Sequence, residues 1–510
     1  MPTFKIAYLP PLLIYASAGV SGLTSIVGVF FIKDYLSLSA AFIASIGFWA
    51  GIPWALKMPI GFLIDRYWYF KQYFVYLGAF LVSISLIIMY GILVHKGLML
   101  KYFDIKVWFI ISSILTPIGY VLQDVVADAM TVEAVEPNFK SKLNNIKTKL
   151  IKKEHTIVQL YGRFAIIFGS LLVGLINFFI FKGIDKNYPD INLLYGKIYI
   201  YALIIPSISV SGIILFNFLN KKATKAIKFK TSKLDYQIFI GSCIFVIFTI
   251  ILGSLKIPFS REIVLGCSLL LISILMRLLI KNLRKEDQHT IVGTAIIIFV
   301  FRAMPGPGAG LNWFEIDILG FNQSFFSILS ITSALITLIG MLVFKNIMIN
   351  APLAKLFLIL SILSSILYSP SLFMYYGFHE YTSVITNGLI DAKFIALLNT
   401  AVESPLSQVA MIPLLAWIAK NAPSKYKATF FAVFASFTNI ALSARELFTS
   451  YLNNIFIIKR EILDTQSSKI IEEANYNDLD NLLISLILLT LIIPVITIYL
   501  VQRSKFKSIE

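Results

Sequence analysis

Long apolar runs, separated by short polar segments, follow one another along the chain from Leu9 to Val501. Each run is near or above the roughly 20 residues that a helix needs to cross a bilayer. The pattern predicts fourteen membrane-spanning helices, numbered here as spans 1 to 14. The predicted spans are residues 10–34, 39–64, 72–95, 107–134, 157–181, 198–219, 236–256, 262–280, 290–314, 324–346, 353–376, 391–419, 427–450 and 482–502.

The spans form two similar sets. Residues 30–46, where span 1 passes into span 2, resemble residues 313–329, where span 9 passes into span 10. A second match at nearly the same offset aligns Pro137, after span 4, with Pro423, after span 12. Matches at corresponding places predict two homologous halves of six helices each. Chance similarity between apolar segments is the alternative.

The predicted fold class is therefore an all-α polytopic membrane protein of two six-helix bundles, with spans 7 and 8 as an extra helix pair. Residues 1–220 are expected to form the first bundle and residues 290–510 the second. Residues 221–289 would hold a basic linker and the extra hairpin. The polar stretch 453–481 is expected to be an external loop, with a short amphipathic helix as an option.

Composition agrees with a membrane protein and limits the partners. The chain has 510 residues, of which 58% are hydrophobic and 14% charged, whereas a soluble domain has roughly 25% charged residues. The net charge of +17 is spread over short loops, with about twice as many basic residues on one side of the spans as on the other. This asymmetry predicts cytoplasmic termini. We expect a lipid bilayer as the surroundings, no nucleic-acid partner, and a plasma membrane or bacterial inner membrane as the location.

The residues that enzymes and metal sites require are scarce. Cys243 and Cys267 lie in apolar segments, and the four histidines lie near span ends. We expect no disulfide, no metal site and no cofactor. The chain also shows no phosphate-binding loop and no nucleophile motif. These features predict a protein that is neither an enzyme nor an ATP-driven pump, so an ion gradient or the substrate's own gradient would supply the energy.

Span 4 carries acidic side chains at Asp124, Asp128 and Glu133. A carboxylate near the centre of a membrane helix costs roughly 2.5–3.5 kcal/mol, so such a residue is a candidate functional residue. Asp124 and Asp128 are four positions apart, which places them on one helix face. That face is expected to look into a bundle or a watery cavity.

Two groups of charges are predicted to share a depth in the membrane. Lys57, Asp128 and Arg163 would each lie roughly 9–10 Å from the cytoplasmic ends of their helices. One anion and two cations at one level suit either a static clamp between helices or a part of the transport path. Asp124 and Arg302 would lie deeper, roughly 15–18 Å from those ends and near the midplane, on helices of different halves.

Span 9 is predicted to be interrupted. The run from Met304 to Gly310 follows Arg302 and contains prolines and glycines that break a helix. Irregular backbone at membrane depth is tolerated where it lines a cavity. The alternative is that span 9 has been drawn too long at its outer end. Glu403, with Pro405 and Pro413 in span 12, is the corresponding feature of the second half. Arg445 and Glu446, near the outer end of span 13, are expected to be interfacial.

Motifs in the first third of the chain resemble those of a known family. The stretch from Gly61 to Lys71, with its Asp-Arg pair, resembles a loop signature of the major facilitator superfamily. Together with residues 53–65 and 123–133, it makes the chain similar to the folate–biopterin transporter family of that superfamily. The matching residues are Pro53, Trp54, Lys57, Pro59, Gly61, Asp65, Asp124, Asp128 and Ala129.

This resemblance implies a major-facilitator-like protein that moves folate or related pteridines together with protons by alternating access. It also implies that spans 1, 4, 9 and 12 line the cavity, which suits a substrate and proton path of Asp124, Asp128, Arg302 and Glu403. A buried charge cluster and gating role are expected for Lys57, Arg163, Asp65, Arg66 and Glu133. Two alternatives remain: the same fold could move another organic anion, such as a nucleotide, peptide fragment or CoA derivative, or the chain could be a membrane receptor.

Overall fold

The structure is a computed structural model, and it describes most of the chain. The described residues are 5–36, 38–55, 57, 60–61, 64, 70–135, 145–184, 191–219, 233–254, 257–281, 283–344, 347, 351–421, 427–463 and 470–507. Asp65 and Arg66 therefore lie outside the described residues, and so do the prolines of the second repeat match. Glu133 lies in a helix, but its side chain is not described.

Helices make up nearly all of the described chain. In chain order they are α1 (Leu9–Val20), α2 (Ser25–Tyr35), α3 (Ala40–Ala55), α4 (Lys71–Val94), α5 (Lys96–Met99), α6 (Ile105–Val135), α7 (Asn145–Phe181), α8 (Ile191–Tyr201), α9 (Ile204–Leu219), α10 (Lys233–Ser254), α11 (Ser260–Ile280), α12 (Lys285–Ala303), α13 (Ala309–Asp317), α14 (Gln323–Val343), α15 (Leu353–Ile366), α16 (Ser369–Tyr375), α17 (Phe378–Ile385), α18 (Ala392–Asn421), α19 (Lys427–Ile455) and α20 (Leu479–Arg503).

Every predicted span contains helix, so the all-α fold class is confirmed. Within the described part of the chain, nine helical stretches are long and apolar enough to cross a membrane. The shorter apolar helix α3 lies in predicted span 2. Helix α7 begins well before the predicted start of span 5, because the basic segment ahead of the apolar run continues the same helix.

The predicted break in span 9 is present. Helix α12 ends at Ala303, and α13 begins at Ala309 and continues to Asp317. Gly308 adopts φ +72°, a conformation that residues with a Cβ rarely take. Since helix resumes after the break, residues 304–308 interrupt a span rather than follow its end.

The two repeat segments have the same local structure. In the first, α2 ends at Tyr35 and α3 begins at Ala40. In the second, α13 ends at Asp317, Gly320 turns with φ +68°, and α14 begins after its cap residue Asn322. The Asn322 side chain accepts a hydrogen bond of 2.9 Å from the Phe325 backbone N–H, which satisfies a free donor of the first turn.

The chain divides into two compact units. Unit 1 comprises Met1–Gly28 and Pro59–Tyr236, and unit 2 comprises Val29–Met58 and Gln237–Glu510. The predicted domain boundaries near residues 220 and 290 stay a prediction.

Unit 1 is held by close helix approaches at small residues. A Cβ on Gly78 of α4 would lie 2.5 Å from the Gly119 carbonyl oxygen of α6, and a Cβ on Gly119 would lie 2.6 Å from the Gly78 carbonyl oxygen. Beside this crossing, the Ser85 hydroxyl lies 2.7 Å from the Ser112 hydroxyl and 2.6 Å from the Thr116 hydroxyl. Small residues and interhelical hydrogen bonds are the ordinary means of packing helices in a bilayer, where apolar surface alone gives little drive.

Unit 2 packs α3 along α19 and covers them with the extra helix pair, α10 and α11. Phe48 and Ile52 of α3 form one apolar cluster with Leu252 of α10, Val264 of α11 and Leu447 of α19. At the edge of this cluster a polar group fixes the hairpin: the Arg261 guanidinium of α11 donates to the Ser45 hydroxyl of α3 at 2.5 Å and to the Ser450 hydroxyl of α19 at 3.0 Å.

The segment between α19 and α20 contains a small hairpin where a loop or short helix was expected. Strands β1 (Ile462–Leu463) and β2 (Ile470–Glu472) pair antiparallel. Among the described residues of this segment the helix option was wrong, because backbone pairing closes it, with further hydrogen bonds of 2.9 and 2.8 Å between Lys459 and Asn475. Before the hairpin, Arg460 donates to the backbone carbonyls of Ile32, Lys33 and Leu36, which satisfies acceptors at the C-terminal end of α2.

Candidate functional site

Unit 1 brings three of the predicted site residues around a tyrosine. The buried Tyr15 hydroxyl of α1 donates a short hydrogen bond to the Asp128 carboxylate of α6. Asp124, one turn earlier on α6, and Arg163 on α7 are close enough to interact electrostatically with Tyr15. The sequence placed Asp124 and Asp128 on one face, but gave no sign of Tyr15, because a tyrosine in an apolar helix is ordinary.

Lys57 belongs to unit 2, where its ammonium lies 5.2 Å from the centre of the Trp54 ring. The predicted cluster of Lys57 with Asp128 and Arg163 therefore stays a prediction. The same holds for a cavity shared by Asp124, which lies in unit 1, and Arg302, which lies in unit 2.

Unit 2 holds a second group of charges on α13, α18 and α19, helices that follow or overlap predicted spans 9, 12 and 13. Glu315 of α13 and Glu403 of α18 interact electrostatically, and Arg445 of α19 interacts with Glu403, with its neighbour Glu446 and with Tyr368. Within the described residues, the side chains of Glu315, Glu403, Arg445 and Glu446 make no hydrogen bond or ion pair. Charged groups in a membrane usually pair with one another or face a watery cavity. We call these four residues the unpaired group.

The break after α12 lies against this group. Arg302 is the residue before the last of α12, and the half-buried segment that follows runs past α19. The Gly306 backbone N–H donates to the Thr449 hydroxyl at 2.9 Å, and a Cβ on Gly306 would lie 3.0 Å from an Arg445 guanidinium nitrogen. The freed backbone is thus satisfied by α19 and lines the side of the unpaired group, as irregular backbone in a membrane requires.

Arg445 and Glu446 were expected to be interfacial, and their depth in the membrane stays a prediction. The expectation came from counting residues to the predicted end of span 13, but α19 continues to Ile455. Arg445 consequently lies within reach of Glu403 and the break. Glu315 was missed as well, because the residues after the break were read as the end of a span.

A third group of charges in unit 2 is fully paired. The Lys33 ammonium lies 2.7 Å from the Asp317 carboxylate, and both side chains are largely buried, at 9% and 14% exposure. The Tyr476 hydroxyl donates to the other Asp317 oxygen at 2.5 Å. Burial, together with the hydrogen bond to Asp317, raises the pKa of Tyr476 well above its ordinary value. These residues join the ends of α2 and α13 to the segment before α20.

The chemistry of the charged groups suits small ions and solutes rather than metals. Within the part of the chain that the structure describes, no group of three or more His, Cys, Asp or Glu side chains is placed to hold a metal ion. The unpaired group presents both signs of charge, which suits an organic solute that carries an amine and a carboxylate.

The described chain is thus an all-α polytopic membrane protein with charged side chains and a broken helix. The chain belongs to the BT1 family, whose model matches residues 203–509. No curated protein sequence matches the chain. The expectation of a transporter rather than an enzyme is confirmed.

Solved structures show the same fold. A POT family transporter in complex with a thioalcohol-conjugated peptide is similar, with a TM-score of 0.64 and 14% identity over 98% of this chain and 96% of that one. A structure described as giving insight into substrate recognition in proton-dependent oligopeptide transporters has a TM-score of 0.54 and 13% identity over 98% and 99%. A point mutant of the nucleoside transporter NupG has a TM-score of 0.57 and 11% identity over 97% and 99%.

These matches correct the family expected from the motifs. The solved structures that resemble the chain are described as peptide and nucleoside transporters, so the comparisons do not support the folate–biopterin name. The folate–biopterin assignment and the folate substrate are therefore not retained.

Proposed function

We propose that this protein is a secondary active transporter of a small zwitterionic solute of the short-peptide type, driven by protons. The observation that carries the proposal is the unpaired group of Glu315, Glu403, Arg445 and Glu446. Charges inside a membrane without a direct protein partner are expensive, so a ligand or water must compensate them during the cycle.

The mixture of charges favours a zwitterion over a simple anion. The group contains three carboxylates and one guanidinium, so its formal charge is opposite to the one that would attract a polyanion such as a nucleotide. The ammonium group of such a solute can bind the carboxylates, and the carboxylate of the solute can bind the planar guanidinium of Arg445. That two of the similar structures are described as peptide transporters supports the same class of substrate.

Proton coupling is supported by the carboxylates themselves. Asp128 bonded to Tyr15 in unit 1, and Glu315 within electrostatic reach of Glu403 in unit 2, are acids on helices. A carboxylate near another is easier to protonate, because two ionised carboxylates repel each other. Such sites gain and lose a proton as access alternates between the two sides of a membrane.

Transport into liposomes tests the proposal. Purified protein reconstituted with an inward proton gradient should accumulate radiolabelled alanyl-alanine above protein-free liposomes, and a protonophore should abolish the accumulation. Glu403→Gln should lower this uptake at least tenfold. The matched control is Glu473→Gln, an exposed carboxylate in the segment before α20, which should transport normally.

Two results would contradict the proposal. Uptake no greater than in empty liposomes, across a mixed set of di- and tripeptides, would exclude the peptide class. Uptake that is unaffected by the protonophore and by the direction of the gradient would exclude proton coupling.

A further inference from the structure

Unit 2 contains a cavity of about 430 Å³ among α2, α3, the start of α13 and α19. Volumes of roughly 300–1,000 Å³ are usual for small-molecule sites. The walls are mainly apolar, with Val29, Ile32 and Ile43 on one side. Trp313, which is 2% exposed, contributes an aromatic wall.

Polar groups in the cavity wall are few. Glu446 provides the carboxylate, and Asn312 provides an amide. Within the described residues, neither side chain makes a hydrogen bond, and Glu446 makes no ion pair. Arg445, the preceding residue on α19, interacts with Glu446 only electrostatically. A carboxylate against apolar walls requires a compensating donor, and the cavity supplies space for one.

The Glu446 carboxylate fits closely against α3 because the residue opposite it, Gly47, has no side chain. A Cβ on Gly47 of α3 would lie 2.8 Å from a Glu446 carboxylate oxygen. The carboxylate thus rests against the backbone of α3, where a larger residue would displace it. On the far side, the Trp313 ring is fixed by the Arg460 guanidinium, 5.4 Å from the ring centre. The pocket is therefore shaped before any ligand arrives.

We propose that this cavity binds the protonated amine end of the transported solute, with Glu446 as the counter-charge and Asn312 as a hydrogen-bond partner. The inference rests on the proposed function for the identity of the solute. An ammonium donates hydrogen bonds, and its positive charge neutralises the Glu446 carboxylate. The carboxylate end of the solute would be repelled by Glu446. Ile32 and Ile43 then receive the apolar side chain next to the amine, and Arg445 remains for the other end.

Competing ligands fit less well. A metal ion would need several oxygen or nitrogen ligands, and the cavity offers one carboxylate and one amide oxygen. A polyanion would be repelled by Glu446, and no cation among the described residues that line the cavity would offset that repulsion. The ligand class is accordingly a primary ammonium with an adjacent apolar group.

Binding to purified protein tests the cavity without requiring transport. Propylamine, whose ammonium form fits the class, should raise the unfolding temperature of the wild-type protein in detergent, whereas propionate should not. Glu446→Gln keeps the shape of the side chain but removes the charge, and should weaken propylamine binding at least tenfold. Gly47→Ala, which displaces the carboxylate, should weaken it similarly. Glu473→Gln is the control with unchanged binding.

Measurements of peptide binding distinguish a failure of the amine site from a failure of the proposed function. Wild-type protein should bind alanyl-alanine at least tenfold more tightly than N-acetyl-alanyl-alanine, and Glu446→Gln should bind the two alike. If alanyl-alanine is transported but Glu446→Gln and Gly47→Ala both keep the preference for the free amine, the cavity assignment is wrong. If propylamine binds through Glu446 while no peptide is transported, the amine site stands and the peptide function falls. If Glu446→Gln does not fold, the preference of Gly47→Ala for alanyl-alanine over N-acetyl-alanyl-alanine decides whether the cavity assignment holds.

Discussion

At the scale of single residues, the charges inside unit 2 differ in whether they are satisfied. Lys33 and Asp317 neutralise each other and recruit Tyr476, whereas the unpaired group has no direct partner among the described residues. A buried pair that is intact holds structure, and a group without a partner is available to a ligand. The two sets therefore predict different outcomes on substitution.

Removing one member of the paired set should destabilise the protein. Asp317→Asn takes the carboxylate away from Lys33, and breaking a buried pair costs roughly 3–5 kcal/mol. Adding Lys33→Met should recover part of that loss, because the remaining charge is removed. Unfolding in detergent measures both. Asp287→Asn, whose partner Arg284 is exposed, should cost less than about 1 kcal/mol. Additive losses in the Lys33 and Asp317 pair would contradict the coupling.

Tyr476 provides a prediction on pH. Tyr476→Phe removes a hydrogen bond to a charged group, which contributes about 1.5–3 kcal/mol. Since burial and Asp317 raise the pKa of Tyr476, this contribution is fully present below the unfolded value of about 10 and is lost only at higher pH. The difference in stability between wild type and variant should stay constant from about pH 6 to 9, well below that unfolded value. A difference that shrinks within this window would contradict the assignment.

At the scale of elements, close helix crossings set what substitutions the fold accepts. Gly119→Ala would bring a Cβ to 2.6 Å from the Gly78 carbonyl oxygen, so α4 and α6 must move apart. We expect a loss of roughly 1–3 kcal/mol in unfolding free energy, the usual result of overpacking. Gly266→Ala in α11 is the matched control, because nothing lies within 4 Å of its Cβ position, and it should be neutral or slightly stabilising.

The extra helix pair gives a second prediction at this scale. Arg261→Ala removes the hydrogen bonds to Ser45 and Ser450 that fix α11 to α3 and α19. Hydrogen bonds to charged groups contribute roughly 1.5–3 kcal/mol, so the unfolding temperature should fall. Arg284→Ala, on an exposed side chain before α12, is the control. An unchanged unfolding temperature in Arg261→Ala would mean that the apolar cluster alone holds the hairpin.

Hydropathy predicted where helices occur, since apolar runs of spanning length have few alternatives in a bilayer. The prolines and glycines after Arg302 also predicted the break in span 9. Sequence could not place Arg445 and Glu315, because depth counted along a chain depends on knowing where the helix ends. Nor could it pair Lys33 with Asp317 or Arg460 with the carbonyls of α2, because such contacts join segments hundreds of residues apart.

At the scale of the whole molecule, chain order and spatial grouping disagree. Residues 29–58 come early in the sequence but belong to the unit otherwise built from residues 237–510. Their partners are distant: the Ser450 hydroxyl donates to the Ala41 carbonyl at 2.9 Å across 409 positions. The polar surface of α3 is thus satisfied by the penultimate helix of the chain.

This grouping has a consequence for biosynthesis. At about 5–20 residues per second, α3 would wait roughly 20–80 s in the membrane before α19 is made. During that time Ser45 lacks Ser450, so a nascent or truncated chain presents an unfinished polar face that membrane chaperones and quality-control proteases can recognise. In a variant without native cysteines, Ser45→Cys should react with a small maleimide when the chain stops after Asn421 and be protected in the full-length protein. Equal labelling of both would mean that another segment shields α3 until synthesis is complete.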